Sequence, residues 1–171
     1  MTQSASMGSS ESAARAWMSR DRWDALVRGE DCPACAEVTG IGRDNSEGFF
    51  VTDLGVSRLR LQREQHVPGW CVLLLRRHVR EPHELPEAER VAFFEDMVNV
   101  GRALERVYAA QKINYSILGN IVPHLHAHIQ PRYYGDPYPG RPVSPAPGQA
   151  VALSVDEARE RILQIRAALA S

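Results

Sequence analysis

The sequence predicts an α+β domain built on an antiparallel sheet of about five strands. Short alternating or apolar runs are separated by turn residues, one long stretch has apolar residues at helical spacing, and a capped helix follows near the C-terminus. At 171 residues, the chain is long enough to bury one well-packed core. We therefore expect a disordered lead-in over residues 1–12 and a single domain over residues 13–171.

The first half of the chain predicts a short helix followed by three strands. Ala13–Arg28 is apolar at helical spacing and ends before Gly29, a common stop signal. Cys32–Cys35 is expected to form a turn because it contains Pro33, and His66–Gly69 forms another through its Pro-Gly pair. The strands are predicted at Phe49–Thr52, Ser57–Leu61 and Trp70–Leu75.

The second half predicts the longest helix and two further strands. The helix opens at Leu85–Glu87, where a proline fits the first turn, and runs to about Gln111. Its apolar stripe is expected to face the core. The members of that stripe are Val91, Phe94, Val98, Leu104 and Val107. The strands Ile113–Leu118 and Leu125–Gln130 then flank a tight turn at Gly119-Asn120.

The C-terminal part predicts a loop and a last helix. Tyr133–Gly148 is rich in proline and glycine and has no periodicity, so it is expected to be a loop. Ser154–Glu157 has the capping-box pattern, in which a serine is followed three residues later by a glutamate. A helix to about Leu169 is therefore expected.

The composition argues against several kinds of partner. The net charge is −1, from 20 basic and 21 acidic residues, whereas proteins that bind nucleic acid duplexes carry a basic surface. No apolar run reaches the length of a membrane span, and the N-terminal residues lack the pattern of a signal peptide. The odd number of cysteines, three, fits a reducing cytoplasm better than a disulfide framework. We expect a cytoplasmic protein that binds neither nucleic acid nor membrane.

Three histidines alternate with apolar residues over the segment His124–Arg132. Because side chains alternate along a strand, all three imidazoles are expected on one face, with the apolar residues facing a core. Imidazole serves as nucleophile, general base and metal ligand at neutral pH, so such a row is a candidate reaction surface. The competing interpretation is a solvated strand face, or an adventitious metal-binding stretch.

The Cys32-x-x-Cys35 pair has the spacing of half a zinc site. A redox pair is the alternative, but no βαβ pattern surrounds the motif. Zinc prefers four sulfur or nitrogen ligands, so two histidines must come from elsewhere in the chain. His78 follows one predicted strand and His124 opens another, and antiparallel strands would bring these positions together. On spacing alone, His66 and His83 remain competitors.

Several separate segments resemble the histidine triad (HIT) family across about Cys32 to Asp136. The matching segments are His-x-His-x-His-x-x-Pro-Arg from His124, the stretch Pro68–Leu73 followed by Arg77-His78, Asn114, and Gly119-Asn120. The chain looks most like the bacterial zinc-containing branch often labelled dinucleoside polyphosphate hydrolases. The resemblance implies the HIT fold, with one long helix packed on the sheet, and a homodimer.

The resemblance also implies chemistry at the α-phosphate of a purine nucleotide. His126 would attack phosphorus and form a nucleotidyl-histidine intermediate, while His128 would contact the phosphate oxygens. A nitrogen nucleophile that is also a good leaving group divides one difficult displacement into two easier ones. In zinc-containing members, the positions matching Cys32, Cys35, His78 and His124 hold a structural metal, so the resemblance selects His78 over the other histidines.

The positions expected to contact the nucleotide include departures from the family pattern. Gln62 stands where many members have Asp or Asn for the ribose hydroxyls, and Ile121 follows Gly119-Asn120 where several members have Ser or Thr. Asn114 matches the phosphate-side amide. Arg132 either balances phosphate charge or caps the strand end.

We expect a nucleotide hydrolase or nucleotidyl transferase that acts on dinucleoside polyphosphates or related adenylylated compounds. The alternative is a nucleotide-binding HIT module with little catalysis.

Overall fold

Alternating side chains and turn residues produce a five-stranded antiparallel sheet, as the sequence predicts. The computed structural model describes residues 17–143 and 150–171. The elements, in chain order, are α1 (Arg20–Val27), α2 (Pro33–Thr39), β1 (Gly48–Asp53), β2 (Ser57–Gln62), β3 (Glu64–Gln65), β4 (Cys71–Leu75), a 3-10 turn (Pro82–Glu84), α3 (Glu87–Tyr108), β5 (Lys112–Ile117), β6 (His126–Arg132), β7 (Val151–Ala152) and α4 (Val155–Leu169). The strand order is β1-β2-β4-β6-β5, and β3 pairs with β7 in a separate ribbon.

One face of the sheet packs against α3 and α4 and forms the main core. Leu59, Leu73 and Ile129 face this core and are fully buried, as is Phe93 on α3. The predicted capping box is confirmed at the start of α4, where the Ser154 side chain accepts from the backbone N–H of Glu157. None of the helices in the described ranges is both long and apolar enough to span a bilayer.

The opposite face of the sheet carries the polar residues of the candidate site. The strand registers align Arg60 with Val72, Val72 with His128, and His128 with Ser116. Helices α1 and α2 cover part of this face, with Leu26 and Val38 packed near Val72. Because side chains on directly paired residues share a face, the histidines of β6 have neighbours from β2, β4 and β5.

Most of the apolar stripe predicted for the core lies on the exposed face of α3. Val91, Phe94 and Val98 are 54%, 36% and 43% exposed, although Leu104 is fully buried and Val107 packs at the core margin. The buried positions are instead Phe93, Met97, Val100 and Leu104. Both sets have helical spacing, so the periodicity alone could not decide which face meets the sheet.

Two predictions near the N-terminus are corrected. Helix α1 begins at Arg20, where the Ser19 side chain caps it, so residues 17–19 of the predicted helix Ala13–Arg28 are not helical, and residues 13–16 lie outside the described residues. Cys32 and Cys35 belong to the start of helix α2 rather than to a turn, because Pro33 occupies the first helical position, where its missing N–H costs nothing. The predicted lead-in over residues 1–12 lies outside the described residues. So does part of the Tyr133–Gly148 loop, residues 144–149.

Candidate active site and metal centre

His126 and His128 lie side by side on β6, with ring centroids 5.2 Å apart. The intervening Ala127 and the adjacent Leu125 and Ile129 are fully buried on the other face, which fixes the direction of both imidazoles. The expectation that alternation gathers histidines on one face holds for these two residues. His124 precedes the strand and turns into a different cluster.

The ring of His126 is held in one tautomer by the backbone. Its Nδ1 lies 2.6 Å from the carbonyl oxygen of His124, and a carbonyl can only accept, so Nδ1 carries the proton. The lone pair is therefore on Nε2. Burial lowers the pKa of His126 below its ordinary value, which keeps the ring neutral at neutral pH. A neutral imidazole with a free Nε2 is a competent nucleophile.

Trp70 fixes the complementary tautomer of His128. The indole Nε1–H donates to Nδ1 of His128 at 3.1 Å, and Trp70 is only 6% exposed. Since indole is a donor only, Nδ1 must be the acceptor and Nε2 must carry the proton. Burial lowers the pKa of His128 to about 4, so the ring is a neutral donor at Nε2. In the sequence, Trp70 begins a predicted strand and belongs to the stretch that resembles the HIT family, but its contact with His128 was not predicted.

Cys32, Cys35, His78 and His124 converge in a single cluster whose ligand atoms all lie within 4.8 Å of one another. The two histidine Nδ1 atoms are 3.3 Å apart. Cys35 Sγ lies 3.2 Å from Nδ1 of His78 and 3.5 Å from Nδ1 of His124, and Cys32 Sγ lies 3.7 Å from the latter. A tetrahedral zinc ion with ordinary Zn–N and Zn–S bonds would separate its ligand atoms by about 3.3–3.8 Å.

Backbone carbonyls orient both histidines of this cluster. Nε2 of His124 donates to the Leu75 carbonyl oxygen at 2.7 Å, and Nε2 of His78 donates to that of Val27 at 3.1 Å. Each ring therefore presents the lone pair of Nδ1 to the centre, which is the usual arrangement around a bound metal. Burial also lowers the pKa of His124 to about 4 and raises that of Cys35 to about 11. The donor set fits zinc.

Arg132 and Asn114 come together, but they bind each other. Nη1 of Arg132 donates to Oδ1 of Asn114 at 2.6 Å, and the guanidinium bonds both carboxylate oxygens of Asp136 at 2.7 and 2.8 Å. This ion pair holds the pKa of Asp136 well below its ordinary range. Arg132 also donates to the carbonyl oxygens of Tyr138 and Arg141. The guanidinium thereby fixes the loop after β6 onto the sheet.

Gln62 ends strand β2 on the face that carries the histidines. Its Oε1 is buried and has no hydrogen-bond partner among the described residues. On the same face of β2, Arg60 is buried and pairs with Glu37 of α2 at 2.5 Å. Oε1 of Gln62 is therefore available to accept a hydrogen bond on this face of the sheet.

Gly119 and Asn120 lie in the loop that joins β5 to the histidine segment. Ile121, the departure from the family pattern, is 53% exposed there. The prediction of one tight turn is too simple, because the loop extends over residues 118–125 before β6 begins.

The sequence of the chain matches the HIT domain model over residues 43–135, which is more than half of its length. The chain therefore belongs to the HIT domain family. Cys32 and Cys35 precede the matched segment.

Solved structures of HIT proteins share the fold. A histidine triad protein from Sinorhizobium meliloti 1021 is 30% identical, with a TM-score of 0.65 over 71% of this chain and 89% of its own. One from Bradyrhizobium japonicum is 29% identical, with the same TM-score over 72% and 91%. A zinc-bound histidine triad family protein from Mycobacterium smegmatis is 20% identical, with a TM-score of 0.59 over 82% and 94%, which shows the fold alone.

A curated relative is the asymmetrical bis(5'-nucleosyl)-tetraphosphatase of Schizosaccharomyces pombe. It is 29% identical over 96 residues, which are 53% of this chain and 52% of the relative. The chain thus spans about half the length of that relative.

Proposed function

We propose that this protein is a nucleotide hydrolase or nucleotidyl transferase in which His126 attacks the α-phosphate of a purine nucleotide. The main support for this proposal is that hydrogen bonds fix the tautomers of His126 and His128 on β6. His126 presents a lone pair at Nε2, and His128 presents a hydrogen-bond donor at its own Nε2. The centroids of the two rings are 5.2 Å apart. A nucleophile beside a fixed donor is the minimum required to attack phosphorus and bind its oxygens.

The reaction would proceed in two displacements. The Nε2 lone pair of His126 forms a bond to phosphorus while the bond to the leaving group breaks, and the leaving group departs with the electron pair. The His124 carbonyl oxygen accepts from Nδ1 and stabilises the positive charge that develops on the ring. Water, or a second acceptor in a transferase, then cleaves the P–N bond and regenerates the imidazole.

We propose that Cys32, Cys35, His78 and His124 hold one structural zinc ion. The convergence of four ligand atoms within 4.8 Å of one another and the two oriented histidines support this assignment. With four protein ligands, the site would leave no position for water, so its role is to hold α2 and the histidine segment together. His126 follows His124 by two residues, so the backbone links the proposed zinc site directly to the proposed nucleophile.

We propose that Gln62 binds the ribose hydroxyls, because its buried Oε1 lacks a partner and a hydroxyl would supply one. Gly119 and Asn120 are proposed to contact the phosphates from the loop before His124. Arg132 already donates a hydrogen bond to Oδ1 of Asn114. We therefore propose that these two residues contribute to nucleotide binding by positioning the loop after β6.

We propose that the protein forms a homodimer through the free edge of β5. This strand ends the sheet, and unpaired strand edges tend to pair with another chain. Helix α3 exposes Val91, Phe94 and Val98, and Tyr115 of β5, itself 41% exposed, lies in close contact with the buried Gly101 of the same helix. Exposed apolar side chains on α3 and β5, together with an open strand edge, suit a two-fold interface.

The proposed activity is tested by incubating the protein with a panel of adenylylated compounds and measuring release of AMP. We expect release from at least one compound, and loss of release in His126→Ala. Tight nucleotide binding with no release from any compound would favour the alternative, a binding module, for which Ile121 in place of a hydroxyl residue is the supporting observation.

A further inference from the structure

A buried ion pair joins strand β2 to helix α2 on the face of the sheet that carries the histidines. Arg60 is 9% exposed, and its Nη1 donates to Oε2 of Glu37 at 2.5 Å. Neither residue belongs to the segments through which the sequence resembles the HIT family, so the resemblance gives the pair no role. The proposed displacement at phosphorus does not use it either.

The guanidinium of Arg60 keeps one edge available, unlike that of its neighbour Arg58. In Arg58, Nη1 donates to the carbonyl oxygens of Glu37 and Gly40, while Nε and Nη2 bind the carboxylate of Asp53. Arg58 therefore already fastens α2 to the sheet. In Arg60, Nη1 binds Glu37, but Nε is buried and has no hydrogen-bond partner among the described residues. Nε and Nη2 of an arginine point the same way and form a fork of two parallel donors.

Arg60 lies beside the position proposed for the ribose. Gln62 follows it by two residues on the same face of β2, and Gly48 of β1 pairs with Gln62. A Cβ atom on Gly48 would lie only 2.7 Å from Cγ of Arg60, so the arginine stem fills the space above that glycine. Base and phosphate leave a ribose on different sides. A nucleotide with its phosphate at His126 and its ribose at Gln62 therefore has its base next to Arg60.

The charge at this position favours a neutral polar group over a phosphate. Glu37 neutralises Arg60, so the pair has no net charge, although it still presents hydrogen-bond donors. The Arg60 side chain keeps 11% of its surface exposed, which places the pair at the margin of the histidine face rather than in the core. A nucleobase is a neutral group with polar edges, and it suits such a pair.

The free edge of Arg60 matches guanine better than adenine. Guanine has two neighbouring acceptors, O6 and N7, and an arginine fork binds them through two parallel hydrogen bonds. Adenine has the same N7, but it carries an amino group in place of O6. One of the two arginine donors would then face another donor.

We propose that Arg60, oriented by Glu37, binds O6 and N7 of a guanine base and makes guanine nucleotides the preferred ligands of this site. The inference rests on the proposed function, because that function places the phosphate at His126 and the ribose at Gln62. Arg60 contacts the base directly, whereas Glu37 is a positioning residue. Adenylylated compounds still bind and react, but with lower affinity.

Calorimetric titration of the wild-type protein with four nucleoside monophosphates tests the proposal, and none of the four has a leaving group to lose. GMP and IMP carry both O6 and N7, AMP lacks O6, and 7-deaza-GMP lacks N7. We expect GMP and IMP to bind about tenfold or more tightly than AMP, and 7-deaza-GMP about fivefold more weakly than GMP. Equal affinity for GMP and AMP, or for GMP and 7-deaza-GMP, would overturn the assignment.

The double variant Arg60→Leu/Glu37→Leu tests whether the pair causes the preference, because removing both partners leaves no buried charge unpaired. Its affinity for GMP should fall to within about twofold of its affinity for AMP, which should itself change less than about twofold. Asp156→Leu/Arg159→Leu is the control, since it removes an ion pair on α4, and it should keep the wild-type preference.

Equal weakening of GMP and AMP in the double variant would mean that Arg60 binds a phosphate or only supports α2, and would overturn the proposal. The wild-type series needs no substitution, so it decides the question even if the double variant folds poorly.

The base assignment and the proposed chemistry fail in different ways. A protein that prefers GMP and IMP but never forms an adduct on His126 would contradict the attack at phosphorus and leave the base assignment standing. A protein that forms the adduct but binds GMP and AMP equally would overturn the base assignment alone. Absence of binding by all four monophosphates would overturn both the base assignment and the proposed nucleotide site.

Discussion

At the scale of single residues, two hydrogen bonds decide what the histidine pair can do. The His124 carbonyl puts the lone pair of His126 on Nε2, and the Trp70 indole puts the proton of His128 on Nε2. One ring therefore has a lone pair on Nε2 and the other has an N–H there, and burial keeps both rings neutral.

Trp70→Phe tests the second of these bonds, because it keeps an aromatic ring and removes the N–H donor. The indole stabilises only the neutral form of His128, so its loss should raise the pKa of that ring from about 4 towards its ordinary value. The acid limb of the pH–rate profile should then move to higher pH, and kcat should fall about tenfold with a smaller change in KM.

The control for that variant is Trp23→Phe on α1, which removes another indole away from the histidine pair. A loss of kcat with an unmoved acid limb in Trp70→Phe would mean that Trp70 only packs against His128.

The sequence predicted that His126 and His128 share a face of the sheet, because strand alternation is a local property of the chain. It did not predict the partner of His128, because that contact depends on the register of two strands distant in sequence.

At the scale of elements, α3 shows where sequence periodicity stops being informative. Helix α3 carries two apolar stripes, and the one that packs against β6 and α4 is buried in the core. Its residues are Phe93, Met97, Val100 and Leu104. The other stripe, Val91, Phe94 and Val98, stays exposed. The sequence could identify the helix, but the choice between its faces needed the sheet.

Phe94→Asp should convert the proposed homodimer into a monomer, because a carboxylate in an apolar interface must be desolvated without a partner. Size-exclusion chromatography with light scattering measures the mass. Leu163→Asp is the matched control, since it places the same charge at an exposed apolar site on α4. A dimer that survives Phe94→Asp, or a wild-type protein that is already monomeric, would contradict the interface.

At the scale of the whole molecule, the cluster of Cys32, Cys35, His78 and His124 connects the two halves of the chain. Cys32 and Cys35 open α2, His78 follows β4, and His124 leads into β6. From spacing, the sequence supplied the cysteine pair and left the choice of histidines open. The observed convergence is a property of the antiparallel order, which places the end of β4 beside the start of β6.

Purified protein should contain about one zinc ion per chain by elemental analysis. Cys35→Ser should lose the metal and lower the melting temperature strongly, with a smaller effect on the rate per folded molecule, because the ion would not touch the reacting phosphate. Cys71→Ala removes a buried cysteine outside the cluster and should keep its zinc. Protein never exposed to a chelator that contains no metal would contradict the assignment.

The central claim is that His126 becomes covalently bonded to the α-phosphate. The most direct measurement detects this covalent adduct. The protein is mixed rapidly with diadenosine tetraphosphate, quenched under conditions that preserve P–N bonds, and analysed by peptide mass spectrometry. We expect a fraction of the wild-type chains to carry one AMP group on the peptide that contains His126, and none in His126→Ala. Steady release of AMP with no adduct on that peptide, or equal turnover by His126→Ala, would show that another group attacks phosphorus.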